Sequence, residues 1–314
     1  LGLYTNLGGV VGIGIGLSGM IVVMGAVGQV APPERRSTAF GVITVAFSIG
    51  MFIMAPVLQY LINLYGWSEA LQFSGCLVLI ISLLSLGLPG HSPKIEKSSE
   101  PEAESELTLL KTINGAMSHS GYLLLNVGFF VCGFHVAFIG THLPSFLQSE
   151  GISISTASWA LAMIGLFNMF GSIIFGRMGD SLSKKNLLSL LYILRAVVIA
   201  GFLAIPLNEI TAIAFGAAIG FLWLATVPLT SGIVAQVFGT RYLSTLWAIV
   251  FFSHQLGAFL GVWLGGRVYD ATGTYTPVWL ASIALGLLAG IIHLPIREQP
   301  WKPSTLEIKP SGGD

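Results

Sequence analysis

Nine runs of about twenty predominantly apolar residues follow one another along this chain, and no other feature restricts its folding so severely. They span approximately residues 7–30, 38–64, 67–88, 121–147, 157–175, 187–206, 210–238, 243–269 and 278–294. Of the 314 residues only 9% are charged and 54% are hydrophobic, so there is too little polar surface to cover these runs in water. The chain is therefore expected to be an all-α polytopic membrane protein with nine transmembrane helices. Long continuous runs, rather than alternating ten-residue strands, select helices over a barrel. Cys76 and Cys132 both lie inside such runs and read as small hydrophobes, with no disulfide framework or metal site implied.

The basic residues sort by loop. Arg35 and Arg36 follow the first span, Lys94, Lys97 and Lys111 the third, Arg177, Lys184 and Lys185 the fifth, Arg241 the seventh, and Arg297, Lys302 and Lys309 the ninth. Only Arg267, near the end of the eighth span, lies toward the other side, and Arg195 sits inside the sixth. The positive-inside rule places the odd-numbered connections and the C-terminus in the cytoplasm. With nine spans the N-terminus would then lie outside.

A weak internal repeat accounts for that odd number. Shifted by 207 residues, Ser37-Thr38 falls on Ser244-Thr245, Gly50 on Gly257, Phe52 on Phe259 and Gly66 on Gly273. Spans one to three thus correspond to spans seven to nine. Between the third and fourth spans, residues 94–111 mix five glutamates with three lysines and carry almost no large apolar side chain before Leu107, which describes a solvated linker.

The connection after the fifth span reads Gly176-Arg177-Met-Gly-Asp180-Ser-Leu-Ser-Lys184-Lys185. A glycine, an aspartate four residues on and a closing basic pair resemble the cytoplasmic signature loop of the major facilitator superfamily, with Ser181 and Ser183 departing from its pattern. Pro33-Glu34-Arg35-Arg36, Tyr65-Gly66-Trp67, Cys132-Gly-Phe-His135, Thr141-His142-Leu143-Pro144 and Phe252-Ser-His254-Gln255-Leu-Gly257 resemble a bacterial branch related to monocarboxylate and oxalate/formate carriers. The fifth span lacks the Asp/Arg pair of animal monocarboxylate carriers, and the eighth lacks the lysine of oxalate carriers.

That resemblance implies two parallel six-helix halves. The nine spans would be helices 4 to 12 of twelve, in a chain that starts partway through its own fold. Residues 1–90 would close the first half, 91–120 link the halves, 121–296 form the second half and 297–314 a cytoplasmic tail. It further implies a monomeric, gradient-driven secondary transporter of the bacterial inner membrane, moving a small solute such as an organic anion by alternating access. No enzymatic activity, metal, nucleotide, covalent cofactor or nucleic-acid partner is implied.

Ionisable and polar groups inside the spans are the candidates for chemistry. His135 is mid-span beside Gly133, and His142, seven residues on, is expected near the outer end facing water. His254 and Gln255 have apolar Phe47 and small Ser48 as repeat partners, so their polarity suits a site present in one half only. Histidine titrates near neutral pH, which suits coupling to protons. Asn168 and Trp223 complete the candidate substrate site. Arg195 reads either as an anion site or, preferably, as a structural residue paired with a neighbour. Gly176, Arg177, Asp180, Lys184, Lys185 and Arg241 form the candidate gating set. Asp180 is expected to face the positive N-terminus of the eighth span, behind Arg241. Glycines 257, 261 and 265 are expected to serve close helix packing.

Two other readings bear weighing. Gly14-Ile-Gly16-Leu-Ser-Gly19 spells a nucleotide-loop pattern but lies within a span with no preceding strand. Gly16-Leu-Ser18-Gly19 with Ser253-His254 resembles the serine–histidine pair of rhomboid intramembrane proteases, although six spans intervene. A solute sensor that binds without transporting is a third class.

Overall fold

Helix ends leave backbone groups open, and in hydrocarbon those groups need protein partners. The computed structural model describes residues 20–85 and 109–301. They form a 3₁₀ turn, Pro33–Arg35, and the helices α1 (Met20–Val30), α2 (Arg36–Tyr65), α3 (Trp67–Ser85), α4 (Leu109–Ser118), α5 (Ser120–Ser149), α6 (Ile154–Ser181), α7 (Lys184–Ala204), α8 (Glu209–Leu222), α9 (Thr226–Phe238), α10 (Leu243–Thr272) and α11 (Thr276–His293). Seven stretches among the described residues are long and apolar enough to cross a membrane. They match the second and the fourth to ninth expected spans. The third is α3, and the first is described only as α1. Its residues 7–19, including Ser18 and the glycine pattern, lie outside the described residues, as do 86–108 and 302–314.

The fold differs from the sequence expectation in three places. The seventh span, 210–238, is two helices, because α8 stops at Leu222 and α9 starts at Thr226. Pro228 lacks an amide proton and its ring crowds the carbonyl four residues back, which breaks a helix there. The connection after the fifth span is mostly helix. Gly176 to Ser181 are the last turns of α6, and only Leu182 and Ser183 separate it from α7. Finally, the end of the expected linker is α4, which buries Thr112 and Ala116.

Glycines set how the helices pair. Lipid offers no hydrophobic drive between spans, so close approach through small residues supplies the packing. A Cβ at Gly257 of α10 would lie 1.9 Å from the Phe130 carbonyl oxygen of α5, and one at Gly133 of α5 would lie 1.9 Å from the His254 carbonyl oxygen. Gly261 meets the Phe134 carbonyl in the same way. Gly216 and Gly220 bring α8 against Ala160 and Ile164 of α6, and Gly41 and Gly176 do so for α2 and α6. At one end of the bundle Trp279 packs among Phe138, Phe146, Phe202 and Phe215, with centroid distances of 4.9–5.9 Å.

The repeat has a structural counterpart. Helices α2 and α10 are both 30 residues long and start and end 207 positions apart. Each stops at a glycine of positive φ, Gly66 at 96° and Gly273 at 70°. A side chain is disfavoured in that region, which explains this pair of matched glycines.

At the end of the bundle where the basic residues collect, the segment after α11 folds back across its neighbours. Lys185 Nζ donates to the Leu294 carbonyl, and the Glu298 carboxylate accepts from the Lys185 amide at 2.6 Å at the start of α7. Gln236 donates to the Glu298 carbonyl, and the Trp301 amide donates to the Val237 carbonyl in the last turn of α9. The Trp301 ring lies against Phe238 and Gly115.

His119 caps α5 here, its Nδ1 accepting from the Tyr122 amide at 3.3 Å. Burial, followed by the nearby Arg297 guanidinium, lowers its pKa from the ordinary 6.5. A lowered histidine pKa means that the unfolded chain takes up the proton first. Stability should therefore fall as pH drops below about 6.5, and protonation also removes the acceptor that makes the cap. His119→Asn keeps a capping acceptor without a proton to gain. The variant should lose less thermal stability than wild type, by about 0.5 kcal/mol, when detergent-solubilised protein is melted at about pH 5.5 instead of about pH 7.5. Equal acid sensitivity would rule out this role.

Candidate functional site

The break between α8 and α9 is buried, and polar side chains from four neighbouring helices cluster around it. Asn168, on α6 and fully buried, accepts from the Leu224 amide at 2.8 Å through its Oδ1. Its amide nitrogen donates to Ser48 Oγ of α2, also at 2.8 Å. One asparagine thus ties the broken helix to the helix paired with α6.

From the other side Arg195 of α7 reaches inward. Its Nε and Nη2 donate to the Leu222 carbonyl at 3.0 and 2.6 Å, and Nη2 also donates to the Trp223 carbonyl. The guanidinium carbon lies 5.3 Å from the Tyr192 ring centroid. Its Nη1 is 3.4 Å from Cys132 Sγ of α5, which is in turn 3.3 Å from Thr226 Oγ1. Arg195 is only 1% exposed and has no carboxylate partner among the described residues. Its charge is met by carbonyl dipoles, a thiol and an aromatic face.

The two histidines differ. His135 is buried and bonds through Nε2 to the Ser282 carbonyl of α11 at 2.8 Å, while its Nδ1 has no partner among the described residues. His254 of α10 stacks on Phe251, with centroids 5.2 Å apart at 8°, and lies 5.0 Å from Phe129. Its Nδ1 pairs with Gln255 Oε1 at 3.1 Å, and its buried Nε2 has no partner among the described residues. Gln255 itself is exposed, and Trp223 is buried with an indole nitrogen that has no partner among the described residues. Asn168 and Trp223 therefore meet at one helix break. His254 with Gln255 lies on α10, and His135 is fixed against α11. His142, expected to face water, instead bonds the Val262 carbonyl of α10 at 2.9 Å and packs on Phe138 and Tyr275.

At the basic end the geometry corrects one expectation outright. Asp180 faces the N-terminus of α2, not that of α10. Its carboxylate accepts from the Ser37 amide at 2.9 Å, from the Thr38 amide at 3.2 Å and from the Thr38 hydroxyl. The residue preceding α2, Arg35, offers no side-chain cap of its own. The aspartate supplies one from another helix, where the helix dipole favours a negative charge. Glycine at 179 and 232 makes room, since a Cβ at either would meet Ser37 Oγ within 3.4 Å or less. Lys184 Nζ donates to Gln236 Oε1 of α9 at 2.8 Å, and Arg177 is exposed. Arg241 stacks over Tyr242 at the start of α10. A cavity of about 480 Å³ lined by Glu34, Arg36, Asp180, Lys184 and Gln236 opens beside these contacts.

Sequence reasoning missed Cys132, Ser48 and Thr226 as members of the buried polar cluster. The signals were Pro228 inside an expected span and the proximity of Arg195 to mid-span.

The family model of the Major Facilitator Superfamily matches residues 4–260 and also 125–310. The chain belongs to the major facilitator superfamily. It is a multi-pass integral membrane protein of a family of carriers, not an enzyme, and the protease reading has no place in that family. It is 26% identical to mouse "Monocarboxylate transporter 12" over 328 residues, covering 93% of this chain and 66% of that one. It is 28% identical to rat "Monocarboxylate transporter 13", covering 83% and 60% of the two chains. To the "Uncharacterized MFS-type transporter YcxA" of Bacillus subtilis (strain 168) it is 24% identical, covering 83% and 64%. The chain thus spans between 60% and 66% of the length of these relatives.

Proposed function

We propose that this superfamily member serves a secondary transporter that carries a small organic anion by alternating access, driven by a solute or proton gradient. The observation that carries this reading is the Asp180 cap on α2. It joins helices that the repeat assigns to different halves, at the basic end of the bundle, through bonds that a rocking motion can break. Kinship with proteins named monocarboxylate transporters supports the substrate class. His254 with Gln255, His135, Asn168 and Trp223 form the substrate and proton site, and Gly176, Arg177, Asp180, Lys184, Lys185 and Arg241 belong to the gate on the cytoplasmic side.

The test is uptake of a panel of small carboxylates by the full-length protein in liposomes, with and without a pH gradient. We expect uptake that the gradient accelerates. His254→Ala, which removes the buried unpartnered nitrogen, should lower uptake about tenfold, the effect of losing one charge-assisted hydrogen bond, with normal membrane insertion. Unchanged uptake in His254→Ala removes that residue from the site. Substrate binding without any uptake would favour a sensor.

A further inference from the structure

Half of a helix that ends inside the bundle exposes carbonyls that a continuous helix would pair, and here one arginine takes them. The Leu222 and Trp223 carbonyls both accept from Arg195, while the Leu224 amide just beyond the break donates to Asn168. Both sides of the discontinuity are thereby satisfied by side chains of other helices, so the break is a built feature. The placement is also electrostatically matched. A helix C-terminus carries about half a negative charge, which offsets part of the cost of burying a guanidinium that has no carboxylate beside it.

The two pieces of the helix have different neighbours. α8 is locked to α6, because Gly216 and Gly220 put its backbone against Ala160 and Ile164. α9 reaches the opposite half as well, with Gly232 against Ser37 of α2, while Leu229 packs on Gly179 of α6 and Gln236 holds Lys184. We propose that Arg195 is a positioning residue: it acts as a resident cation that fixes the last carbonyls of α8 and so sets the angle at which α9 swings as the gate. In discontinuous transporter helices such carbonyls are available to a bound cation; here the chain supplies its own. The idea rests on the transport reading for its kinetics but not for its geometry.

The experiment uses the full-length protein in liposomes, with Arg195→Met, which keeps bulk without charge, and Arg195→Lys, which keeps charge without the fork. Arg195→Met should lower the maximal uptake rate about tenfold or more while leaving KM nearly unchanged, and Arg195→Lys should recover part of the rate. A raised KM at an unchanged maximal rate would overturn the proposal in favour of substrate contact. Loss of folded protein with a normal rate per folded molecule would overturn it in favour of a purely structural role. A second readout needs no substrate. Spin labels at Glu34→Cys and Thr240→Cys, on a Cys76→Ser background, report the distance from the 3₁₀ turn before α2 to the end of α9. Arg195→Met should shift or broaden that distance distribution and Arg195→Lys should narrow it again, whereas identical distributions in all three proteins would overturn the hinge. If no carboxylate is transported yet the distances respond, the transport reading fails and the hinge stands.

Discussion

Gly257→Val is expected to leave little folded protein. The first carbon of the new side chain would sit 1.9 Å from the Phe130 carbonyl oxygen and 3.1 Å from the Phe134 amide nitrogen. Neither is a flexible side chain that can turn aside, so α5 and α10 must separate. Gly133 approaches as closely and Gly261 to 2.5 Å along the same seam, so separation at one point opens the others. Overpacking in a well-filled core costs about 1–3 kcal/mol. A clash with helical backbone on both sides lies at the upper end of that range or beyond it, a large share of a typical stability margin. Gly266→Ala, one residue beyond the seam with nothing within 4 Å of its added carbon, should be close to neutral. Monodisperse yield and thermal midpoint in detergent decide the matter. A Gly257→Val protein that melts like wild type would show that the two helices do not touch backbone to backbone.

The second large effect is expected at Asp180. Replacement with alanine removes three donors' shared acceptor at the start of α2 and the negative charge at that helix terminus. A charged hydrogen bond contributes about 1.5–3 kcal/mol net, and partial exposure of Asp180 reduces this. The remaining value of roughly 1.4 kcal/mol corresponds to a tenfold shift in an equilibrium between closed and open arrangements of this end. A cysteine at Ala235, buried beside the charged cavity, should then react with a membrane-impermeant thiol reagent about tenfold faster on a Cys76→Ser, Asp180→Ala background. Asp180→Asn, which keeps one acceptor oxygen, should fall between. Equal labelling rates with and without the aspartate would show that it does not hold this end shut.

Much of the architecture was legible because a bilayer leaves few choices. Length and hydropathy were enough for the spans that the structure describes in full, and the 207-residue shift between α2 and α10 was visible through residues as sparse as Gly66 and Gly273. What escaped was whatever depended on contacts between distant segments. Asp180 carries its motif in sequence, but which helix start it faces depends on how α6 lies against α2, and hydropathy holds no record of that. The break at residues 223–225 was hidden for a different reason. Leu222, Trp223, Leu224 and Ala225 are as apolar as any helix, so only Pro228 and the unexplained charge at Arg195 marked it. Cys132 looked like a small hydrophobe, and its sulfur gains polar neighbours only through Arg195 and Thr226, which arrive from other helices.

The segment that follows α11 has a further consequence. Through Glu298 it grips the start of α7, and through Trp301 it grips the end of α9. These two helices are not consecutive, and the segment adds to the direct Lys184–Gln236 bond between them. If α9 swings while α7 stays, the segment can remain with only one of them. It then works as a passenger that must choose a carriage: staying with α7 uncovers the last turn of α9, and leaving with α9 strips the acceptor from the first turn of α7. Each position of such a gate would then carry its own set of exposed backbone groups at this face, set by Glu298 and Trp301.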